Sequence, residues 1–277
     1  MAVEGRSRSA EVVAAERALL SDMGAIDDPL ARRMLGPTIG AVYRVARRWP
    51  GRVPTLRVTL AGLAARVLWH DRQVLRALSS GIDQVAVVGA GYDSRPWRLS
   101  SSGVQFFELD HPATQAEKVR RAPEGGPTYV AVDLSSDSAV EALARCGFDN
   151  ARPAAIVVEG VTMYLHEEEV RGQLSELAGA LAAGSVLTTD FYPPQAAGTV
   201  DQRRQNWVQR FARSGSGESL RLLVDRADAA ALVGACGWRV DEVMGARDAA
   251  RALVPPASGL PVDSVNNAKS LISATRR

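Results

Sequence analysis

A pair of glycines and a set of acids stand at intervals that could build a ligand site. Gly89-Ala90-Gly91 follows the apolar run Val85-Ala86-Val87-Val88, and Glu108 and Asp110 close the next apolar stretch, residues 104 to 110. Asp133 follows Thr128 to Val132, and Glu159 follows Ala154 to Val158. Short runs rich in β-branched residues read as strands buried on both faces, and α/β sheets bind ligands outside the carboxyl ends of such strands. The glycines permit a tight turn and a close approach of a ligand to the backbone. An acid at the tip of the second strand accepts hydrogen bonds from the two hydroxyls of a ribose, and Glu108 and Asp110 both stand there.

The glycine spacing also excludes something. A dinucleotide fingerprint needs a third glycine three residues after the second, where this chain has Ser94 within Asp93-Ser94-Arg95, so a pyrophosphate is not the favoured ligand. An NAD(P)-dependent oxidoreductase is the reading that loses most by this.

Three segments in order carry a resemblance. Gly89-Ala90-Gly91-Tyr92-Asp93-Ser94-Arg95-Pro96-Trp97-Arg98-Leu99, then Phe107-Glu108-Leu109-Asp110-His111-Pro112-Ala113-Thr114-Gln115, then Val158-Glu159-Gly160-Val161-Thr162-Met163-Tyr164-Leu165 resemble the leucine carboxyl methyltransferase family, and within it the actinobacterial enzymes that methylate small molecules in secondary metabolism. The likeness spans roughly residues 14 to 245 and implies S-adenosyl-L-methionine (SAM) as cofactor and S-adenosyl-L-homocysteine as product. It implies that Gly89, Ala90 and Gly91 lie along the cofactor, that Asp110 takes the ribose, and that Asp133 and Leu134 contact the adenine. Glu159 then holds the ammonium of the methionine moiety, and Arg66, in the Ala65-Arg66 pair that precedes Asp71, meets its carboxylate. A guanidinium suits that task because it binds a carboxylate through two parallel hydrogen bonds. Arg17 is a second basic residue placed to reach the same carboxylate.

Each residue also has a plainer reading: Asp133 as the cap of a helix near Asp137, Glu159 as half of a structural ion pair, since a buried acid needs a cation, and Arg66 as a surface arginine. On the acceptor side, Tyr164, His166 and Asp190 are candidates to orient the acceptor or take its proton. His166 directly precedes Glu167-Glu168-Glu169, where a histidine can simply start a helix. Tyr92, Tyr192 and Trp207 could wall a flat acceptor. A carboxylate acceptor needs no base, being ionised at neutral pH. Transfer to oxygen is the preferred reading; transfer to nitrogen or carbon of an aromatic metabolite, and a non-catalytic SAM-binding protein, are the alternatives.

The elements that must position these residues follow from periodicity. Helices are expected over 9 to 23, from Asp27-Asp28-Pro29-Leu30 onward, and over 56 to 79, as an N-terminal cap spanning residues 1 to 80. The methyltransferase domain, 81 to 277, then carries strands to Val88, 104 to 110, 128 to 132, 154 to 158, 185 to 192, 238 to 243 and 269 to 274. Helices at 112 to 121, 166 to 183 and 225 to 235 separate them, with a polar insertion near 193 to 222 containing Asn206, Trp207, Arg210 and Phe211, and a surface loop from Arg251 to Asn267. This is an α/β fold, a doubly wound, mostly parallel seven-stranded sheet of the Rossmann-like class I methyltransferase type.

The whole chain agrees with a small-molecule enzyme. Its 277 residues, 46% hydrophobic, can bury a sizeable core, and a net charge of +2 gives no electrostatic case for nucleic acid or membrane as partner. Only Lys118 and Lys269 among the 33 basic residues are lysines. Cys146 and Cys236 form neither a disulfide framework nor a metal-ligand spacing, and no metal is expected. No window is apolar over the ~18 residues of a membrane span, so a cytoplasmic monomer or homodimer is expected.

Overall fold

Five consecutive buried residues make β1 (Gln84–Val88), which lies within a seven-stranded sheet. The others are β2 (Gln105–Asp110), β3 (Thr128–Ala131), β4 (Ala155–Val158), β5 (Val186–Phe191), β6 (Trp238–Gly245) and β7 (Ser270–Arg276), in the order β3-β2-β1-β4-β5-β7-β6. Neighbours from β3 to β5 run parallel, whereas β7 is antiparallel to both β5 and β6. The chain winds outward from β1 to β3, then returns to β4 on the other side of β1. That reversal opens a crevice beyond the carboxyl ends of β1 and β4, the position at which such sheets take ligands. The computed structural model describes residues 7–48, 54–194 and 220–277.

Among the described residues the helices are α1 (Arg8–Asp22), α2 (Pro37–Ala46), α3 (Pro54–Ser79), α4 (Arg95–Arg98), α5 (Pro112–Arg121), α6 (Ala139–Arg145), α7 (Glu167–Ala180), α8 (Arg226–Ala235) and α9 (Ala246–Leu253). The period-2 alternation of a strand explains why both faces of β1 need cover. Val85 and Val87 pack with Val74 and Ala77 of α3, while Ala86 and Val88 join a core that includes Leu143 of α6, Leu174 of α7 and Leu232 of α8. A separate apolar cluster joins Ala18 and Leu20 of α1, Leu60, Ala64 and Val67 of α3, and Ala249 and Ala250 of α9. The N-terminal helices therefore share their core with a helix from the far end of the chain.

Three local expectations need correction. No α-helix starts at Pro29: a 3-10 turn covers Ala31–Met34, and the next helix opens at Pro37. Asp28 is diverted, its Oδ1 accepting from the Ala31 amide at 3.2 Å and from Ser94 Oγ at 2.9 Å in the interior. The stretch from Arg251 is not all loop, because α9 runs through it to Leu253. Asn267 Oδ1 accepts from the amides of Arg247 at 3.0 Å and Asp248 at 3.2 Å, satisfying the start of α9 from twenty residues away, a cap that local sequence does not announce. The helix after β3 begins after Ser138, whose Oγ accepts from the Glu141 amide at 3.0 Å, so Asp133 is not its cap. Asn206, Trp207, Arg210 and Phe211 of the expected insertion lie outside the described residues.

Candidate functional site

The first wall of the crevice is the glycine turn. Gly89 (φ +66°) and Gly91 (φ +49°) both adopt left-handed backbone, which glycine enters without steric cost. A Cβ on Gly89 would run into Val161, and one on Gly91 would lie 3.1 Å from Ala10 Cβ, so α1 lies directly across the turn. The Ala90 amide donates to Leu109 O at 3.0 Å, tying the turn to β2. Asp110 completes it: Oδ2 accepts from the Gly91 amide and Oδ1 from the His111 amide at 2.7 Å.

The other acid offered on β2 does different work. Glu108 is buried, its Oε2 2.5 Å from Lys118 Nζ. Burial pushes its carboxyl up to about 7 despite that cation. Of the two, only Asp110 stands at the strand's edge.

At the tip of β3, Asp133 Oδ1 accepts from Ser135 Oγ at 2.7 Å and the Ser135 amide at 3.0 Å, and these bonds hold its carboxyl below the usual aspartate value. Leu134 is pinned from outside, its carbonyl accepting from Gln173 Nε2 at 3.1 Å.

The tips of β4 and β5 are built from charge. Glu159 Oε1 accepts from Arg66 Nε at 2.9 Å and its Oε2 from Arg95 Nη2 at 2.6 Å. Burial works against the ionised form, yet Arg95 and Arg66 outweigh it and hold the Glu159 carboxyl well below the ordinary glutamate value. Arg66 also donates through Nη1 to Tyr192 Oη at 2.8 Å and lies 3.8 Å from Asp190 Oδ2. Its guanidinium covers Gly160, whose φ of +69° and missing Cβ make room for it. Asp190 Oδ1 accepts from the Gly160 amide at 2.6 Å, and burial raises its carboxyl to about 6 although Arg66 and that amide oppose the shift. His70 is wholly buried, bonded through Nδ1 to Thr188 Oγ1 at 2.9 Å, and burial lowers it to about 3, so it is neutral.

Two sequence candidates fall elsewhere. Arg17 is buried and engaged, Nη1 donating to Tyr92 O at 3.1 Å and Nη2 to Ser94 Oγ at 2.5 Å, with Asp28 as its ion-pair partner. It fastens α1 to the segment after the glycine turn. His166 is exposed at the start of α7, where its amide donates to Glu169 Oε2 at 2.6 Å. Tyr164 is half-buried in the 3-10 turn Thr162–Tyr164 that follows β4. No cluster of three or more histidine, cysteine or acidic side chains suited to a metal ion occurs among the described residues, and no described helix is long and apolar enough to cross a membrane.

A family model described as leucine carboxyl methyltransferase matches residues 10–178. The chain belongs to the leucine carboxyl methyltransferase family. A Mycobacterium avium relative named "Putative S-adenosyl-L-methionine-dependent methyltransferase" is 32% identical over 246 residues, covering 84% of this chain and 82% of its own. A Mycobacterium tuberculosis relative of the same description is 32% identical over 78% of this chain and 76% of its own. Among solved structures, a DUF574 family protein from Streptomyces avermitilis superposes with a TM-score of 0.65 at 19% identity over 99% of both chains. A Thermobifida fusca protein described as a "putative methyltransferase" gives 0.57 at 17% identity, over 95% of this chain and 94% of its own. These two establish likeness of fold.

Sequence reasoning singled out Arg66, Glu159 and Asp190 but gave no role to Arg95 or His70, which the structure brings against them. Arg95 donates to Asp71, Asp93 and Glu159 at once, and His70 Nε2 lies 4.0 Å from Asp190 Oδ1. One signal was available for His70: it stands four residues after Arg66, so both share a face of α3.

Proposed function

We propose that the protein transfers the methyl group of SAM to an oxygen of a small-molecule acceptor in secondary metabolism. That it is a SAM-dependent methyltransferase follows from its family and from the relatives that bear that description. The assignment of site residues rests on one observation. Along the sheet order β3-β2-β1-β4, the strand tips present Asp133, Asp110, the glycine turn and Glu159 in succession. Those four features suit, in the same succession, an adenine, a ribose, the cofactor's middle and an amino-acid end.

The residues present fit that cofactor. Asp110 and Asp133 are fixed by backbone amides while remaining partly accessible, and carboxylate oxygens so held retain lone pairs for a hydroxyl or an exocyclic amine. Glu159 is engaged on both oxygens, but each keeps a further acceptor site for an ammonium. Arg66 commits Nε to Glu159 and Nη1 to Tyr192, leaving Nη2 to meet a carboxylate.

When bound, the cofactor supplies an electrophilic methyl carbon on a sulfonium, open to in-line displacement. The protein's own task is to hold the acceptor oxygen about 3 Å away and to exclude water. Asp190 supports an oxygen acceptor: a buried carboxyl at about 6 is largely ionised at neutral pH and basic enough to take a hydroxyl proton. Tyr192, its hydroxyl fixed by Arg66, orients the acceptor beside it, and Tyr164, in the 3-10 turn that follows β4, is the second candidate for that task. His166, exposed at a helix start, is left no role in the chemistry.

The test is calorimetric titration with S-adenosyl-L-homocysteine. Micromolar binding that is lost in Asp110→Ala supports the cofactor assignment, and a mass gain of one methyl on incubation with phenolic or carboxylic metabolites then identifies the acceptor. A folded protein that binds NAD(H) and not S-adenosyl-L-homocysteine would overturn the proposal.

A further inference from the structure

Two arginines share Glu159, and their surroundings differ. Arg95 is 2% exposed and has all three guanidinium nitrogens committed: Nε to Asp71 Oδ1 at 2.7 Å, Nη1 to Asp93 Oδ2, and Nη2 to Glu159 Oε2 at 2.6 Å. Its own amide donates to Asp93 Oδ1 at 2.6 Å, so Asp93 grips the residue at both ends. Asp71 is anchored in turn, its Oδ2 2.7 Å from Arg98 Nη1. Arg66 is more open, with 11% of its side chain exposed; it donates to one oxygen of Glu159 and to Tyr192 Oη, and lies 3.8 Å from Asp190 Oδ2.

We propose that Arg95 is the positioning residue of this site: it is the fixed counter-ion that keeps Glu159 ionised and aimed, which leaves Arg66 to turn toward a bound ligand. This rests on the reading of Glu159 and Arg66 as the residues that hold the cofactor's ammonium and carboxylate. A guanidinium that moves onto a ligand carboxylate takes its charge away from Glu159 at the moment when Glu159 must be anionic for the ammonium. A second cation that never leaves removes that conflict. Because Arg95 follows the glycine turn by four residues, it also fixes the amino-acid end of the site to the turn.

The groups that face Glu159 come from three elements. Arg66, His70 and Asp71 lie on α3, Asp93 and Arg95 lie between the glycine turn and α4, and Asp190 and Tyr192 lie at the end of β5. His70 is neutral and contributes no cation. Arg66 and Arg95 are thus the cations that hold the Glu159 proton off.

The experiment is calorimetric titration of S-adenosyl-L-homocysteine between pH 8 and pH 5.5 for wild type, Arg95→Gln, Arg66→Gln, Glu159→Gln and the Arg95→Gln/Glu159→Gln double variant. Arg95→Gln is expected to add a step absent from wild type, with affinity at least tenfold lower at pH 5.5 than at pH 8, as Glu159 takes up a proton. The double variant is expected to lack the step, and Arg66→Gln is expected to weaken binding at every pH without adding one. The reference is wild type's own slope, to which Asp190 contributes. If Arg95→Gln does not fold, Arg95→Lys carries the same criterion, with a step of at least threefold expected from its shorter reach. No added step in a folded Arg95 variant overturns the proposal, as does a step that persists in the double variant, since it then belongs to Asp93 or Asp71. Unchanged affinity of Glu159→Gln at pH 8 is a separate result, and sinks the cofactor reading of Glu159 on which the proposal rests.

Discussion

The acids at the tips of β2 and β3 and those at the tips of β4 and β5 are held in opposite ways. Asp133 is fixed by an amide and a hydroxyl two residues on, and Asp110 by the next residue's amide and by the Gly91 amide of the glycine turn after the neighbouring strand, at sites with some access to water. Glu159, with 11% of its side chain exposed, depends on Arg66 and Arg95, which arrive from α3 and from the segment after the glycine turn, while the buried Asp190 takes the Gly160 amide and lies 3.8 Å from Arg66. Amide bonds fix an acid with little desolvation cost and act locally. Buried ion pairs carry a desolvation penalty that only complete pairing offsets, so each member depends on all the others. The side proposed to take the adenosine should therefore tolerate single changes in its fold while losing affinity, whereas the side proposed to take the amino-acid end should lose fold and affinity together.

Arg95→Ala tests that contrast most severely. It strips a fully buried cation from Asp71, Asp93 and Glu159 at once. Removing one partner of a buried pair costs about 3–5 kcal/mol, and urea denaturation should show a loss at the upper end of that range. A loss below about 1 kcal/mol would mean that water already enters the cluster, and the contrast would fail.

Asp190→Asn sharpens the comparison through pH. The folded carboxyl is raised from 3.8 to about 6, so between those values the folded state keeps a proton that the unfolded chain releases. Its contribution to stability is full below about 4 and is lost as pH rises through about 6. Two pKa units correspond to at most about 3 kcal/mol. Urea midpoints of wild type and Asp190→Asn measured from pH 4 to 7 should diverge by up to that amount, the wild type losing ground as pH rises. Parallel curves would place Asp190 in water.

Asp110→Ala probes the other side. Loss of hydrogen bonds to a charged group should weaken S-adenosyl-L-homocysteine binding by about 1.5–3 kcal/mol, with a smaller change in stability from the orphaned Gly91 amide. Glu108→Gln is the control two residues away: it should lower stability, because Lys118 is buried against it, and leave the affinity within about twofold. Equal affinity losses in both would erase the distinction between edge acid and interior acid.

What could be read from the sequence follows the same division. The apolar runs fixed which strands exist, because a strand covered on both faces must be apolar throughout, as Val85 to Val88 are. That Asp110 closes β2 beside the glycine turn was legible, because both follow directly from neighbouring apolar runs. The partners of Glu159 were not, because Arg66 is 93 residues away and Arg95 is 64. Arg95 stands in the Asp93-Ser94-Arg95 segment after the glycine turn, but nothing in that local pattern shows that it reaches Glu159. Likewise Asp28, read as part of a helix start, is taken by Arg17 and Ser94 from other elements, and α9 is capped by Asn267 across the loop that follows it.

His166→Ala should have the smallest effect, and it separates a residue near the site in sequence from one that belongs to it. His166 lies seven residues after Glu159, yet it is exposed and precedes α7. The bond that stabilises this start runs from the His166 backbone amide to Glu169 Oε2, and alanine keeps that amide. Stability should fall by at most about 0.5–1 kcal/mol, the lower range for losing a capping side chain. Methyl transfer rate and its pH profile should stay within about twofold of wild type once an acceptor is in hand. A rate loss of a hundredfold, the low end of what a positioned proton-transfer group contributes, would show that α7 swings toward the crevice when substrate binds, and would move the proton acceptor from Asp190 to His166.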